Sequence, residues 1–145
     1  MAINTKKVLV GGLAAGVVNV ALGFGVFAMM LAPRFNAELD AAMPGASAKM
    51  SAGTMNMVIA IVSPFIIGWL LAWLYAAIRP RFGPGPKTAT YAALVVWLCG
   101  FLFYADGYQM GAMSGASYMI AAVSALVINI IVAQVAAFLY KEEGA

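Results

Sequence analysis

Residues Val8–Leu31 spell VLVGGLAAGVVNVALGFGVFAMML, a run of 24 residues without a charged side chain. A helix that crosses the roughly 30 Å hydrocarbon core of a bilayer needs about 20 apolar residues. Three further stretches qualify: Met55–Ile78 with 24 residues, Thr88–Ala105 with 18 and Tyr118–Tyr140 with 23. Because backbone amides find no water inside a bilayer, and because these runs lack two-residue alternation, they indicate helices. The sequence predicts an all-α integral membrane protein, an antiparallel bundle of four transmembrane helices forming one domain over residues 1–145.

The composition of the whole chain also indicates that most of its surface faces lipid. Some 65% of the residues are apolar and 9% are charged, whereas soluble domains carry about 25% charged residues. Eight basic and five acidic side chains are too few to cover a surface that faces water. This balance excludes nucleic-acid binding, soluble enzymes and secreted disulfide scaffolds. Since the chain has no histidine and a single cysteine, Cys99, imidazole ligation and a Cys-x-x-Cys redox pair are also excluded, and we expect no cofactor.

Basic residues in the short loops predict the orientation of the bundle. Two basic residues, Arg34 and Lys49, lie between or beyond the spans on one side. Six lie on the other side: Lys6, Lys7, Arg79, Arg81, Lys87 and Lys141. Since cytoplasmic loops are enriched in lysine and arginine, this asymmetry places both termini in the cytoplasm.

The segments between the spans differ in character. Within the outer loop, residues 33–54, Pro33 suits a helix start and apolar residues recur every four positions, which predicts a short amphipathic helix on the outer membrane face. The cytoplasmic turn 79–87 reads RPRFGPGPK, and its three prolines and two glycines predict a stiff, non-helical connection. The second outer loop, 106–117, is rich in glycine and serine, and we expect it to be irregular.

Small residues form a face on the first and on the fourth span, and each face contains one asparagine near mid-bilayer. The face on the first span comprises Gly12, Gly16, Asn19 and Gly23. The face on the fourth span comprises Ala122, Ala125, Asn129, Ala133 and Ala136. Such faces let helix backbones approach closely, and first and last helices are neighbours in an up-and-down bundle. We therefore expect the two faces to pack, with a hydrogen bond between Asn19 and Asn129. The alternative is that the asparagines line a permeation path.

The predicted spans contain no residue that is a candidate for catalysis or proton transfer. No Asp, Glu, Lys or Arg lies within any of the four spans, whereas proton-coupled transporters need an ionisable group there. Only Asp106 lies near the end of a span, and we interpret it as a loop residue at the water interface. We therefore expect no enzymatic activity.

The methionines cluster on one side of the predicted topology. Apart from Met1, all nine fall in the outer loops or at the outer ends of spans. Thioether sulfur is a soft ligand for Cu(I). The pairs Met55-x-Met57 and Met110-x-x-Met113 are the candidate metal ligands of this hypothesis. The alternative is that these flexible side chains fill irregular apolar surfaces or contact a partner.

The segment from Trp73 to Ala89, WLYAAIRPRFGPGPKTA, resembles a stretch in small four-span bacterial inner-membrane proteins without known activity. The resemblance implies a bacterial inner-membrane location. Arg79, Arg81 and Lys87 within it are expected to set topology or to contact anionic lipid headgroups. The sequence thus favours a non-enzymatic structural or accessory protein that contacts lipid, partner helices or further copies of itself. An oligomeric permeation protein, with a polar stripe of Asn19, Ser63, Asn129 and Gln134, is the alternative.

Overall fold

A computed structural model describes residues 3–140, and within them it contains helices and no strand. Four helical stretches are long and apolar enough to cross a membrane, which confirms the predicted all-α four-helix membrane bundle. Lys141, which entered the orientation rule, lies outside the described residues. The α-helices are α1 Thr5–Gly23, α2 Ala32–Ala42, α3 Ala46–Ala52, α4 Thr54–Phe82, α5 Pro86–Gln109 and α6 Gly115–Leu139.

The first spanning helix is longer than its apolar stretch. A π-helical segment, Phe24–Leu31, joins α1 to α2 directly, and the N–H of Ala32 donates to the carbonyl of Phe27 five residues earlier. The combined helix has 38 residues. At about 1.5 Å per residue it is about 57 Å long, well beyond the roughly 30 Å of a hydrocarbon core. The first charged residue after Lys7 is Arg34, in the first turn of α2, so the apolar part of this long helix ends where α2 begins.

The segment predicted as the outer loop, 33–54, is largely helical. The expected short helix is present as α2, with Pro33 in its first turn, where a missing N–H is tolerated. A second short helix, α3, follows directly, and the carboxylate of Asp40 receives hydrogen bonds from the backbone and hydroxyl of Ser47. These bonds fix the corner between the two short helices.

The turn predicted as non-helical over 79–87 is much shorter, so that prediction is wrong in extent. Helix α4 continues to Phe82 with Pro80 in its last turns, and α5 begins at Pro86. Proline is tolerated at the first position of a helix, as at Pro86, because its missing N–H would have no partner within the helix there. Pro80 forgoes the hydrogen bond to the carbonyl four residues earlier, but only two helical residues follow it. Gly83 ends α4 with a φ of +81° that favours glycine, and its N–H donates to Arg79 O at 2.9 Å. Only residues 83–85 separate the two helices.

The connection predicted over 106–117 is also shorter than expected. Helix α5 runs to Gln109 and α6 begins at Gly115, which leaves residues 110–114 between them. The hydroxyl of Ser114 accepts a hydrogen bond from the N–H of Ser117 at 3.2 Å and thereby caps α6. Ser114 directly before an apolar run is the sequence signal for this helix start, but the neighbouring glycines favoured an irregular loop.

The four long helices pack around one another in the order α1, α4, α5, α6, with α6 again beside α1, and α4 also packs against α6 across the bundle. Their shared core is built mainly from alanines, together with a few larger side chains such as Leu71 and Val132. Large apolar side chains point outward instead: Phe103 is 78% exposed and Phe138 is 85% exposed. Lipid is as apolar as these side chains, so small residues between helices and large residues outside are what a membrane bundle requires.

Candidate functional site

The tightest contact in the bundle is a glycine contact between α1 and α4. A Cβ atom placed on Gly68 would lie 2.5 Å from the backbone nitrogen of Gly16 and 2.7 Å from the carbonyl oxygen of Gly12. A Cβ on Gly12 would lie 2.7 Å from the Cα of Trp69. The two backbones therefore touch, as small-xxx-small sequences allow. The predicted packing residues Gly12 and Gly16 lie in this contact, but their partner is α4 and not the fourth span, α6.

Asn19 extends the same contact by one hydrogen bond. Its side chain is 7% exposed, and its Nδ2 donates to the carbonyl oxygen of Pro64 on α4 at 3.2 Å. Among residues 3–140 no hydrogen bond joins Asn19 to Asn129, so the expected partner was wrong. The physical reason is the register of α1: Asn19 lies on the face of Gly12 and Gly16, and that face closes on α4.

The first and the last helix are neighbours, as expected, and Ala136 of the predicted face on α6 takes part, but its partner on α1 is Gly11, which lies outside the predicted face of α1. A Cβ on Gly11 would lie 3.1 Å from the carbonyl oxygen of Ala136 on α6. Of the predicted face on α6, Ala133 is fully buried, whereas Ala125 and Asn129 are partly exposed. A Cβ on Gly23, at the other end of the predicted face on α1, would meet no neighbouring atom within 4 Å. The close contact of α1 therefore ends before Gly23.

The predicted soft-metal ligands are spread over two places. Met55 and Met57 lie in the first turn of α4 and are 69% and 65% exposed. Two residues apart on a helix, their side chains point to different sides and cannot share one ion without further ligands. Met110 and Met113 lie at the connection between α5 and α6, and Met110 is 78% exposed. Within the described part of the chain, no three Cys, Asp or Glu side chains form a group suited to a metal ion.

A polar cluster that we name the Glu38 clamp ties α2 to the start of α6. The Glu38 carboxylate accepts from the N–H of Ser114 at 2.9 Å, from the Ser114 hydroxyl at 2.9 Å and from the Ser117 hydroxyl at 2.7 Å. Arg34 completes the clamp, because its Nε lies 3.3 Å from Glu38 Oε1 and 2.6 Å from the Ser117 hydroxyl oxygen. A carboxylate at a helix N-terminus is also stabilised by the helix dipole.

The clamp holds Glu38 in its ionised form. The hydrogen bond from the Ser114 backbone, followed by that from the Ser117 hydroxyl, lowers the pKa of Glu38 from 4.5 to about 2. A lowered pKa in the folded state means that the clamp stabilises the fold fully above about pH 4.5. This contribution is lost as the pH falls through the range from about 4.5 to about 2.

We expect Glu38→Ala to release α2 from α6 at neutral pH. The change removes the acceptor of all four hydrogen bonds, so hydrogen exchange at the Ser114 amide should rise and a probe distance between α2 and the start of α6 should broaden. In the unchanged chain, the same broadening should develop as the pH falls from about 4.5 toward about 2, where the carboxylate in the clamp takes up its proton. Asp106→Ala is the matched control, since Asp106 is a carboxylate near the same connection but outside the clamp. Equal behaviour of the two variants would show that the clamp does not hold α2.

The opposite end of the bundle is joined by two tyrosines. The hydroxyl of Tyr140 accepts from the N–H of Asn4 at 3.2 Å, and that of Tyr75 accepts from the N–H of Gly85 at 3.1 Å. The two rings meet edge to face with centroids 5.9 Å apart. These contacts bring together the start of α1, the end of α6 and the connection between α4 and α5. The Arg79 guanidinium lies 5.7 Å from the centre of the Tyr140 ring.

Charge is distributed very unevenly between the two ends. The end joined by the tyrosines, which we call the basic end, carries five of the seven described cationic side chains: Lys6, Lys7, Arg79, Arg81 and Lys87. The three acidic side chains of residues 3–140 are Glu38, Asp40 and Asp106, and all lie toward the other end. The predicted headgroup or topology residues Arg79, Arg81 and Lys87 thus lie at the basic end.

Two aromatic hydrogen bonds between α5 and α6 were not foreseen. Trp97 donates through Nε1 to the carbonyl oxygen of Ala122 at 2.8 Å, and the Tyr118 hydroxyl donates to the carbonyl oxygen of Phe101 at 2.8 Å. The available signal was the polar atom of an aromatic side chain within an apolar span, which needs a partner when it leaves water. These bonds join α5 to α6, a helix pair for which no polar contact was predicted.

Comparison with known proteins adds no relative: no protein family matches the sequence, and neither curated proteins nor solved structures give a match. The resemblance of residues 73–89 to small bacterial inner-membrane proteins therefore stays a prediction.

Proposed function

We propose that this chain is a non-enzymatic membrane protein with a structural or accessory role, acting through the lipid-exposed faces of its bundle. The observation that supports this most is the burial of Asn19, the polar side chain near the middle of the first span. It is 7% exposed and donates within the chain, to Pro64 on α4. A polar group used in this way stabilises helix packing.

The permeation alternative depends on four polar side chains forming one stripe. Asn19 lies between α1 and α4, whereas Gln134 of α6 donates to Pro86 O at 3.0 Å and to the Thr90 hydroxyl at 3.2 Å. Ser63 and Asn129 are partly exposed. Asn19 and Gln134 thus form their hydrogen bonds within different helix pairs. Their separation favours the accessory role over a permeation path through one chain.

As to location, we propose a bacterial inner membrane with both termini in the cytoplasm. The uneven distribution of cationic side chains supports the orientation, since lysine and arginine are enriched on the cytoplasmic side. Soft-metal binding through Met55, Met57, Met110 and Met113 would require a partner or second copy to supply further ligands. No observation of the described residues favours it over apolar contact.

A flux assay separates the accessory role from permeation. We expect vesicles containing the purified chain to release potassium or a small neutral solute no faster than empty vesicles, while a pore-forming peptide gives rapid release as the positive control. Asn19→Leu should leave this background unchanged, although it removes a hydrogen bond of about 0.5–2 kcal/mol. Flux above background that Asn19→Leu or Asn129→Leu abolishes would instead establish permeation.

The accessory role itself predicts a defined partner. Purification of a tagged chain from its native membrane in mild detergent should retain a membrane protein or a second copy in constant ratio. Crosslinks from that partner should map to the exposed apolar faces, for example Leu13 or Val17 of α1, which are 53% and 59% exposed. Recovery of the chain as a monomer without any partner in constant ratio would contradict the proposal.

A further inference from the structure

Helices α4 and α5 diverge from the connection that joins them, so the bundle is open on one side away from the basic end. Along one face of α4, Tyr75 and Gly68 are buried, whereas Ile61, seven residues before Gly68, is 50% exposed. Along one face of α5, Ala89 is buried and Phe103, fourteen residues later, is 78% exposed. Seven residues are close to two helical turns, so the positions compared point in nearly the same direction. The inward face of each helix is therefore covered near the connection and uncovered farther from it.

Helix α4 is the one that leaves the bundle. Helix α5 stays against α6, because Trp97 and Tyr118 form hydrogen bonds between these two helices. By contrast, all nine residues from 54 to 62 at the start of α4 are exposed, whichever way their side chains point. The packed part of α4 begins where the carbonyl of Pro64 accepts the hydrogen bond from Asn19. We name residues 54–63 the arm.

Proline provides a pivot at the base of the arm. Since Pro64 has no N–H, the carbonyl of Ala60 lacks the donor that an α-helix normally supplies. Sharp bends in helices, above about 20°, occur mostly at such positions. Met55 lies nine residues before Pro64, a distance of about 13 Å along the helix. A rotation of about 25° at Pro64 would therefore move Met55 by about 6 Å.

Asn129 faces the opening at the depth of this pivot. Gly11 of α1 meets Ala136 of the antiparallel α6; Asn19 follows Gly11 by eight residues and Asn129 precedes Ala136 by seven. Asn129 thus lies at the depth of Asn19, and hence of Pro64. It shares the inward face of α6 with the buried Ala136, yet it is partly exposed. Within residues 3–140 its carboxamide forms no hydrogen bond.

We propose that the arm is a gate, which closes on α5 and α6 by rotating at Pro64, and that Asn129 donates to the carbonyl of Ala60 in the closed form. Because hydrocarbon offers no hydrogen bonds, closure satisfies a donor and an acceptor that both lack their usual partners in the open form. The arm is the occupant that fits the opening, since it belongs to the same chain and is already attached at its edge. This inference goes beyond the accessory role, because it concerns a movement within one chain.

The distance between the arm and α6 in lipid nanodiscs tests the gate. Spin labels are attached to Met55→Cys and Val123→Cys in a chain that carries Cys99→Ala; the two native side chains are 69% and 55% exposed. We expect two populations of this distance, the shorter by about 6 Å, from double electron–electron resonance. The reference pair Val17→Cys and Val123→Cys connects α1 to α6, which stay packed, and should give one narrow distance.

Two variants separate the hydrogen bond from the hinge. Asn129→Leu removes the donor and should lower the ratio of closed to open gate by about 3–20-fold. Gln134→Leu is the matched control, an amide of the same helix that is bonded to Pro86 and Thr90 instead, and should leave the ratio unchanged. Pro64→Ala gives the Ala60 carbonyl a helical donor again and should leave a single narrow distance.

Several results would overturn the proposal. One is a single narrow distance between positions 55 and 123 in the otherwise unchanged chain. Another is a closed fraction that Asn129→Leu does not lower, or two populations that persist in Pro64→Ala. A distance between two copies labelled at position 55 alone would show that a second copy fills the opening. The reference distance establishes that each variant remains packed, and none of these results affects the flux and partner experiments.

Discussion

Replacing Gly68 by valine should separate α1 from α4 and destabilise the bundle by about 3 kcal/mol, at the upper end of the cost of overpacking. A single Cβ at this position already lies 2.5 Å from the nitrogen of Gly16 and 2.7 Å from the carbonyl oxygen of Gly12. Both atoms belong to the backbone of α1, so no side-chain rotation can relieve the contact. The helix as a whole must move, and Asn19 then loses its hydrogen bond to Pro64.

The matched control is Gly100→Val on α5. Gly100 also lies inside a long helix, and a Cβ there meets nothing within 4 Å. Since valine is a better helix former than glycine, this variant should be neutral or slightly stabilising. Reversible unfolding in mixed micelles, followed by circular dichroism, measures both free energies. If the two variants unfold alike, the close approach of α1 and α4 at Gly68 does not exist in the membrane protein.

The second large effect is expected from Leu71→Ala. Leu71 is fully buried, and its helix, α4, packs against α1, α5 and α6. In a soluble protein such a change costs about 2–5 kcal/mol, part of which is the transfer of the lost methyl groups out of water. In a bilayer the unpacked side chain meets lipid, so that part is small and the cost comes from lost contacts and the cavity. We therefore expect about 2–3 kcal/mol.

Leu70→Ala provides the comparison for this value. The neighbouring Leu70 is 42% exposed on the outside of the same helix. Lipid chains can fill the space that its truncation leaves, so the free energy of unfolding should change by less than about 1 kcal/mol. A cost for Leu70→Ala as large as that for Leu71→Ala would mean that α4 is rotated relative to the described packing.

The sequence predicts the number and class of helices well because their length and lack of charge follow directly from the bilayer. It predicts helix ends poorly. Pro80 and Pro86 suggested a break over residues 79–87. Proline at the first position of a helix does not oppose helical structure, and Pro80 forgoes one hydrogen bond close to the end of α4, so only residues 83–85 are non-helical. The glycines and serines of residues 106–117 likewise suggested a long irregular segment, whereas only residues 110–114 lie between α5 and α6.

The packing residues could be recognised from sequence, but their partners could not. Gly12 and Gly16 lie in a close helix contact, yet spacing along one helix does not say which other helix meets that face. The register of α4, which places Gly68 opposite them, depends on the whole bundle. The Glu38 clamp has the same character: the pair with Arg34 follows from a spacing of four, whereas Ser114 lies 76 residues away along the chain.

The π-helical segment Phe24–Leu31 determines the direction in which the Glu38 side chain of the clamp points. An α-helix rotates by about 100° per residue, and a π-helix, with its wider turn, rotates by less. The eight residues of this segment therefore set the azimuth of α2 relative to α1. A residue gained or lost there would turn Glu38 by about a quarter of a revolution and aim its carboxylate away from Ser114. The length of this segment thus sets the rotation of α2 about the helix axis. It determines whether α1 can pack against α4 while Glu38 reaches Ser114.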